Sequence, residues 1–253
     1  MAIIALRGWY VEQYEPLSEL RKRPHDIRLS RNSLLKAGLR ADFLEERHEI
    51  EQAEWFNRYL AGEAVEFYIE GSGSYRIANI DLSSHEIYFT KQEGSAYLDP
   101  KIFLSISEGE QGAQLLESLE DYIRQVNRRS RLPLSLELAK RPSEGATRLS
   151  SYQLRQIRKS LLFIADVTPL AVSRGESPQL LPSPNVCVEL GYALQCKQVE
   201  QILLAQVQQP QLTGVVPFDL PSYQEIQFPN PEAIADLLPN LLDSMLQRFA
   251  LVS

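Results

Sequence analysis

Two acidic residues occupy positions from which a carboxylate could take part in chemistry. Glu189 lies in the otherwise uncharged stretch 187–191, where an ionised carboxylate is costly unless something uses it. Asp166 directly follows the apolar run 161–165. A carboxylate held in such surroundings can act as a base, as a nucleophile or as a fixed negative charge beside a developing cation. Both residues are therefore candidates for a reaction centre.

Each carboxylate also has a purely structural interpretation. Periodicity alone is equally consistent with Glu189 facing solvent on an amphipathic helix. Asp166 is followed by Val167-Thr168-Pro169, and an aspartate at a strand end is often only a turn or cap former. Gly191 favours a site, because glycine inside a helix costs about 1 kcal/mol relative to alanine and so indicates close approach of a ligand or of another backbone.

The elements that must position these carboxylates begin after Asp99-Pro100. From there short apolar runs alternate with amphipathic segments, which is typical of a parallel sheet covered by helices on both faces. Strands are predicted over 101–106, 132–138, 161–165 and 201–207, with a fifth segment over 215–228. Helices are predicted around 115–126, over 150–159, from Pro184 onward with Ser183 as its cap, and around 234–249.

A parallel α/β sheet binds ligands beyond the carboxyl ends of its strands, where the winding direction reverses. If the strand order is 2-1-3-4-5, this crevice lies between the first and third strands. The residues expected there are Ser105, Ser107 and Glu108 from the first strand and Asp166, Val167 and Thr168 from the third. The helix that begins at Pro184 should open beside the same crevice, with its amide end available to an anion such as a phosphate.

The first 99 residues predict a smaller α+β domain. Strands are expected over 2–6, 64–69, 75–82 and 86–90, and a helix over 33–60. Whether 2–6 joins the larger sheet stays open at this point. Gly71-Ser72-Gly73 lacks the further glycine and the following helix of a dinucleotide loop, so it predicts a hairpin turn. With 253 residues in all, the chain is expected to hold two domains, 1–99 and 100–253.

The charge of the chain weighs against a nucleic-acid partner. The formal net charge is −7, whereas nucleic-acid binders usually carry a basic face. A local basic segment comprises Arg21, Lys22, Arg23, Arg28, Arg31, Lys36 and Arg40, and an acidic run follows in Asp42, Glu45, Glu46, Glu49, Glu51 and Glu54. Such neighbouring runs are usually solvated helix faces that pair with each other. We favour that interpretation over an RNA or DNA surface, which stays as an alternative for the first domain.

Cysteine and histidine usage indicates a reducing compartment and no metal. Cys187 and Cys196 lie too far apart on one predicted helix to form a disulfide. The start of the chain does not read as a signal peptide, so a cytoplasmic location is expected. No apolar stretch approaches the ~20 residues of a membrane span, so no membrane partner is expected. The three histidines are scattered and the cysteines lack metal-ligand spacing.

Four segments of the chain resemble one protein family. Residues 163–169 (FIADVTP) and 182–194 (PSPNVCVELGYAL) are similar to predicted nucleotide-binding proteins with a TIR-like domain, which are relatives of the TIR NAD-hydrolases and nucleoside 2-deoxyribosyltransferases. Residues 101–105 (KIFLS) resemble the family's first strand, and 216–220 (VPFDL) a segment near its last strand. The resemblance covers about residues 100 to 250 and implies a flavodoxin-like, TIR-like fold there.

The resemblance also implies an activity. In the enzymes of this superfamily the helix glutamate, matched by Glu189, assists cleavage of an N-glycosidic bond, and the strand-end aspartate, matched by Asp166, lies near the ribose or base. A fixed carboxylate suits this reaction because departure of the base creates an oxocarbenium-like centre. The ligand is then a nucleotide or nucleoside, with NAD as a candidate substrate, no cofactor, and self-association through this domain. Nucleotide contacts are assigned to Ser105, Ser107, Thr168, Asn185 and Tyr192.

The sequence also departs from the family pattern. Relatives commonly have asparagine at the position of Ser183, and many have an Asp-x-Ala-Thr-like string where this chain reads Glu137-Leu138-Ala139-Lys140. Relatives often carry an acidic or amide residue in the loop after the first strand, where this chain reads Ser105-Ile106-Ser107-Glu108. A non-catalytic nucleotide-sensing or protein-interaction module of the same fold is therefore the alternative.

Overall fold

The chain folds as two compact units, one ending at Tyr97 and the other beginning at Leu98. The computed structural model describes residues 5–35, 37–92, 95–107, 110–139, 149–174, 177–215 and 224–252. The division lies next to Asp99-Pro100, the boundary read from the sequence, which forms the start of the first strand of the second unit.

Six antiparallel strands form a closed barrel in the first unit. They are β1 (Ala5–Tyr10), β2 (Ile27–Leu35), β3 (Gly38–Phe43), β4 (Glu66–Ile69), β5 (Gly73–Asp81) and β6 (Glu86–Gln92). Their order is β1-β2-β3-β6-β5-β4, and β4 pairs back onto β1. Three short helices accompany them: α1 (Leu17–Leu20), α2 (Arg47–Gln52) and α3 (Glu54–Leu60). Closure leaves the barrel without a free sheet edge.

Alternating apolar side chains fill the barrel. In β3, for example, Leu39, Ala41 and Phe43 are buried while Arg40 between them is exposed, as the two-residue period of a strand requires. Trp55 of α3 packs into the same core, with its ring edge-on to Phe67 at a centroid distance of 5.1 Å. Helices α2 and α3 therefore belong to the barrel core, through Ile50 and Trp55.

The predicted helix over 33–60 is wrong for its first part. The structure has the β2–β3 hairpin up to Phe43, and helix occurs only in α2 and α3. The spacing of four between Leu39 and Phe43 fits both a helical period and a strand period, and Ala41 between them is buried too. Gly38 also suits the strand, because a Cβ there would lie 2.5 Å from the carbonyl oxygen of Phe89 on β6.

The strands and the hairpin turn predicted for the first unit agree better with the structure than the helix does. The strands predicted over 64–69, 75–82 and 86–90 correspond to β4, β5 and β6. Gly71-Ser72-Gly73 forms the turn between β4 and β5, with positive φ at Gly71 and Gly73, so the hairpin prediction is confirmed. Of the strand predicted over 2–6, residues 2–4 lie outside the described residues, and β1 belongs to the barrel rather than to the larger sheet.

The second unit is built on a five-stranded parallel sheet. Its strands are β7 (Asp99–Ser105), β8 (Ser135–Leu138), β9 (Ser160–Asp166), β12 (Ile202–Val207) and β13 (Glu225–Phe228). They lie in the order β13-β12-β9-β7-β8, and every neighbouring pair is parallel. Counted along the chain, this is the order 2-1-3-4-5. A two-stranded antiparallel ribbon, β10 (Ala171–Val172) with β11 (Leu180–Leu181), interrupts the loop after β9.

Helices flank this sheet. They are α4 (Glu110–Val126), α5 (Ser151–Lys159), α6 (Pro184–Cys196) and α7 (Ala233–Gln247). Phe103 and Phe163 pack on one face with Ile157 of α5 and Leu190 of α6. Helix α4 packs against α7, and Tyr122 donates a hydrogen bond to Asp243 at 2.7 Å between them. The central strand β9 is buried at every residue, as its continuous apolar run predicts.

Element boundaries differ from the sequence expectations mainly at the edges of the sheet. Strand β8 begins at Ser135, after the predicted start at 132, because Pro133 cannot donate to the ladder. Residues 216–223, which include one of the family-like segments, lie outside the described residues. None of the helices in the described ranges is both long and apolar enough to cross a membrane.

Candidate functional site

The carboxyl ends of β7 and β9 meet where the winding of the sheet reverses. The two strands are parallel neighbours, and Ser105 at the end of β7 is in register with Ala165, one residue before Asp166. In a sheet of this order, ligand crevices form at this edge. The crevice expected from the sequence therefore has its two strands in place.

Asp166 is bound on both carboxylate oxygens by the loops that leave these strands. The hydroxyl of Ser107 donates to Oδ2 at 2.6 Å, and the Ser107 backbone N–H donates to the same oxygen at 3.3 Å. The backbone N–H of Thr168 donates to Oδ1 at 3.1 Å. Asp166 thus ties the loop after β7 to the loop after β9, and only 2% of its surface is exposed.

Glu189 reaches the same edge from helix α6. Its exposed fraction is 0%, and the hydroxyl of Ser105, which is also fully buried, donates to its Oε2. A hydrogen bond to an ionised carboxylate is stronger than one between neutral groups. The solvent-facing interpretation of Glu189 is therefore wrong.

The two carboxylates are thus held by hydroxyls of one short segment. Ser105 binds Glu189 and Ser107 binds Asp166, and two residues of chain span about 7 Å at most. The structure therefore brings together five of the residues predicted for the site: these four and Thr168, whose backbone N–H also binds Asp166. Val167 is buried against the α6 side of the sheet, and Glu108 lies outside the described residues.

Burial of the site has a direct consequence for any ligand. Ser107 and Thr168, like the two carboxylates, are almost completely covered. A ligand that touches either carboxylate must first displace the groups that cover it. In this conformation the carboxylates and their donors form a closed polar network. The sequence had predicted an open crevice at this position.

The remaining residues predicted to contact a nucleotide lie on the loop after β9 and on α6. They are Thr168, Asn185 and Tyr192. The Thr168 hydroxyl accepts from the backbone N–H of Val207 on β12 at 3.0 Å, which attaches the loop after β9 to the next strand. Asn185 and Tyr192 share one face of α6 with Glu189, at spacings of four and three residues. Both are half-buried, and Tyr192 packs against the core below α6 together with Cys196.

The start of α6 differs in one detail from the sequence expectation. Pro184 occupies the first turn, as predicted, but the Ser183 side chain makes no capping hydrogen bond. The helix therefore begins without the side-chain cap that Ser183 was expected to supply.

Gly191 was expected to mark a close approach of a ligand or backbone. A Cβ at Gly191 would meet no described atom within 4 Å, and the residue is exposed. Close approach of another part of this unit therefore does not explain the glycine.

Gly112 was missed by the sequence reasoning and does mark a close approach. It lies in the first turn of α4, where a Cβ would stand 2.4 Å from the carbonyl oxygen of Ser107. Glycine thus lets α4 start directly against the loop whose Ser107 binds Asp166. The available signal was a glycine shortly after the first predicted strand, a position where βα loops often need close packing.

Four residues of the basic segment of the first unit, including Arg23, pair with acidic residues. Lys22 binds Glu19, Arg28 binds Glu45, and Arg40 binds Glu86. Pairing was the favoured interpretation, but Arg28 and Arg40 project from strands β2 and β3 rather than from helix faces. Lys36 lies outside the described residues, as does the side chain of Arg31.

Among the described residues, no group of three or more His, Cys, Asp or Glu side chains is placed to hold a metal ion. No protein-family model, no curated protein and no solved structure matches the chain. The interpretation of the site therefore depends on its own geometry.

Proposed function

We propose that the second unit is a TIR-like domain of flavodoxin-like topology that binds a nucleotide or nucleoside and cleaves its N-glycosidic bond. One observation carries this proposal: two buried carboxylates, Asp166 and Glu189, converge on Ser105 and Ser107 at the reversal point of a 2-1-3-4-5 parallel sheet. The family resemblance of the segments around both residues supports it.

Glu189 is the key carboxylate in the proposed reaction. The bond between the anomeric carbon and the base nitrogen breaks with its electron pair leaving on the base, and water supplies the hydroxyl that the sugar gains. The second proton of this water goes to the departing base of a nucleoside or, with NAD, whose nicotinamide leaves uncharged, to solvent. Positive charge develops on the sugar during departure, and a fixed carboxylate stabilises it more in the transition state than in the ground state. The Ser105 hydroxyl orients the carboxylate by donating to Oε2.

Asp166 has the task of orienting the sugar. Its oxygens accept from Ser107 and Thr168 when the site is closed, and ribose hydroxyls can replace these donors when the loops open. The same loops then cover the substrate, and exclusion of water strengthens the charge interactions inside the site. NAD is the first substrate to test, and no cofactor is needed.

The test is release of free base by the full chain. Purified protein is incubated with NAD and a panel of nucleosides, beside Glu189→Gln and the matched control Glu200→Gln, an exposed glutamate in the 3₁₀ turn before β12. We expect the wild type and the control to release base and Glu189→Gln to release none. Equal release by Glu189→Gln would show that the carboxylate does not act.

The second candidate function is a non-catalytic sensing or interaction module of the same fold. The complete burial of Glu189 favours it, because a carboxylate with 0% exposure and a serine donor also serves as a structural group. The outer face of α6 favours it too, since Val188 is 60% and Leu194 40% exposed. Saturable nucleotide binding without base release would select this candidate, with self-association through the α6 face.

A further inference from the structure

The first unit contains a cleft of about 370 Å³ beside β1. The segment after β1, the segment before β2 and the start of α3 contribute its walls. Its lining includes four acidic side chains, two aromatic rings and one cationic side chain: Glu12, Glu15, Asp26, Glu54, Tyr10, Trp55 and Arg23. The volume lies at the lower end of the range of ligand pockets, about 300–1,000 Å³, so it fits one or two side chains rather than a folded partner.

The acidic groups at the cleft outnumber the cations that pair with them. Arg23 lies 3.3 Å from Glu15 and 3.2 Å from Asp26, and so serves both. The other two, Glu12 and Glu54, depend on the single guanidinium of Arg58, which also pairs with Glu63 outside the cleft walls. The four carboxylates of the cleft therefore share two guanidinium groups, one of which also serves Glu63, and this leaves a surplus of negative charge that favours a cationic ligand and repels a phosphate.

Trp55 supplies an independent observation. Only 3% of its surface is exposed, and its indole Nε1 is buried without a hydrogen-bond partner among the described residues. By contrast, Trp9 Nε1 donates to the carbonyl oxygen of Arg23 at 3.1 Å. Buried N–H groups without an acceptor are rare and costly, so this donor on a cleft-lining side chain points to an acceptor that a ligand brings once the indole, whose Nε1 is covered here, turns toward the cleft.

We propose that this cleft binds a basic peptide segment. A lysine or arginine side chain lies among Glu12, Glu15, Asp26 and Glu54 and beside the aromatic rings, which attract a cation through their faces. A backbone carbonyl of the same peptide accepts the Trp55 N–H after the indole turns toward the cleft. A free polyamine matches the charge but offers no carbonyl, and a neutral peptide offers the carbonyl but no charge. The proposal concerns the first unit alone and does not depend on the chemistry proposed for Glu189.

A titration followed by NMR of the indole N–H groups tests the ligand class. The full chain, labelled with ¹⁵N, is titrated with blocked Ala-Arg-Ala, with the same peptide carrying citrulline in place of arginine, and with spermidine. Trp55→Phe assigns the Trp55 signal. We expect the arginine peptide to move that signal saturably and to bind at least tenfold more tightly than either comparison ligand. Equal binding of the citrulline peptide or of spermidine overturns the proposal, as does no saturable shift.

Charge variants test the site itself. Glu12→Gln combined with Glu54→Gln removes two largely exposed carboxylates, so the chain should fold, and circular dichroism checks this. We expect at least a tenfold loss of affinity for the arginine peptide. The matched control is Glu19→Gln, whose carboxylate pairs with Lys22 outside the cleft walls, and it should bind like the wild type. Unchanged affinity in the double variant, or an equal loss in the control, contradicts the assignment.

Discussion

The proposed function depends mainly on a few residues at one edge of the parallel sheet. The apolar neighbours of Glu189 and the position of Asp166 after a buried run were enough to select both from the sequence. Ser105 and Ser107 were also expected in the crevice, but the sequence did not indicate that they would donate hydrogen bonds to these carboxylates. That Ser105 takes one carboxylate and Ser107 the other follows from the register between β7 and β9 and from the seating of α6. These long-range relations leave no local pattern in the chain.

The Ser105–Glu189 hydrogen bond should be important for stability as well as for orientation. Ser105→Ala leaves a fully buried carboxylate without this donor, and loss of one partner of a buried charged group costs about 1–3 kcal/mol. We expect urea denaturation to show a loss of this size. Ser151→Ala, at an exposed position on α5, should change the free energy of unfolding by less than about 0.5 kcal/mol. Equal effects would mean that the hydrogen bond contributes nothing.

Lys197 should give the stability of the protein a specific pH dependence. Burial lowers the pKa of Lys197 from 10.5 to about 8, and its ammonium donates to the carbonyl oxygen of Ser160. Between these two pKa values the unfolded chain holds a proton that the folded chain has released, so this group makes the free energy of unfolding rise with pH. Below pH 8 both states are protonated and the full penalty of burying the charge applies.

Lys197→Met removes this penalty. We expect the variant to be more stable than the wild type at pH 7, by on the order of 1–3 kcal/mol, and this advantage to shrink or reverse as the pH rises to 10. Denaturation of both proteins at a series of pH values gives the difference between their free energies of unfolding. The contributions of the other titrating groups cancel in this difference. An advantage that stays constant over this range contradicts the assignment.

At the scale of elements, the sequence predicted the parallel sheet well and the barrel poorly. Strands such as β9 are buried on both faces and therefore read as short continuous apolar runs, which is the pattern of a parallel sheet covered by helices. In the first unit, Leu39 and Phe43 fit two periods at once, and the choice between helix and hairpin is made by pairing with β6. Closure of the barrel depends on β4 returning to β1, which no local segment records.

Two glycines at helix positions should respond in opposite directions. Gly112→Ala places a methyl group 2.4 Å from the Ser107 carbonyl oxygen, so α4 must move away from the loop that binds Asp166. We expect a loss of about 1–3 kcal/mol, as for other overpacked sites. Gly191→Ala meets nothing within 4 Å and should stabilise α6 by up to about 1 kcal/mol. Thermal denaturation gives the melting temperature of each variant relative to the wild type. Equal shifts of the two melting temperatures would refute the close contact at Gly112.

At the scale of the whole molecule, the outer face of α6 is the surface at which self-association is expected. If the second unit is an interaction module, we expect its partner at this face to be a second copy of the chain. The chain carries a net charge of −7, which keeps copies apart, whereas Val188, Gly191 and Leu194 present an uncharged exposed stripe. Self-association should therefore occur through this stripe, where two copies meet without like charges in contact.

Sedimentation over a range of concentrations tests this association. We expect the wild type to show a concentration-dependent increase in mass that Val188→Lys abolishes. Leu60→Lys is the matched control, because Leu60 is similarly exposed at the end of α3 in the first unit, and it should associate like the wild type. A monomeric wild type, or an equal loss in the control, excludes the α6 stripe as an interface.

The most direct test of the central claim is the rate at which the full chain releases nicotinamide from NAD, measured beside Glu189→Gln, Asp166→Asn and the control Glu200→Gln. If the two carboxylates converging on Ser105 and Ser107 form a reaction centre, the wild type and Glu200→Gln release base, Asp166→Asn releases it much more slowly, and Glu189→Gln releases none. Release by Glu189→Gln at the wild-type rate, or no release of base by the wild type, would contradict it.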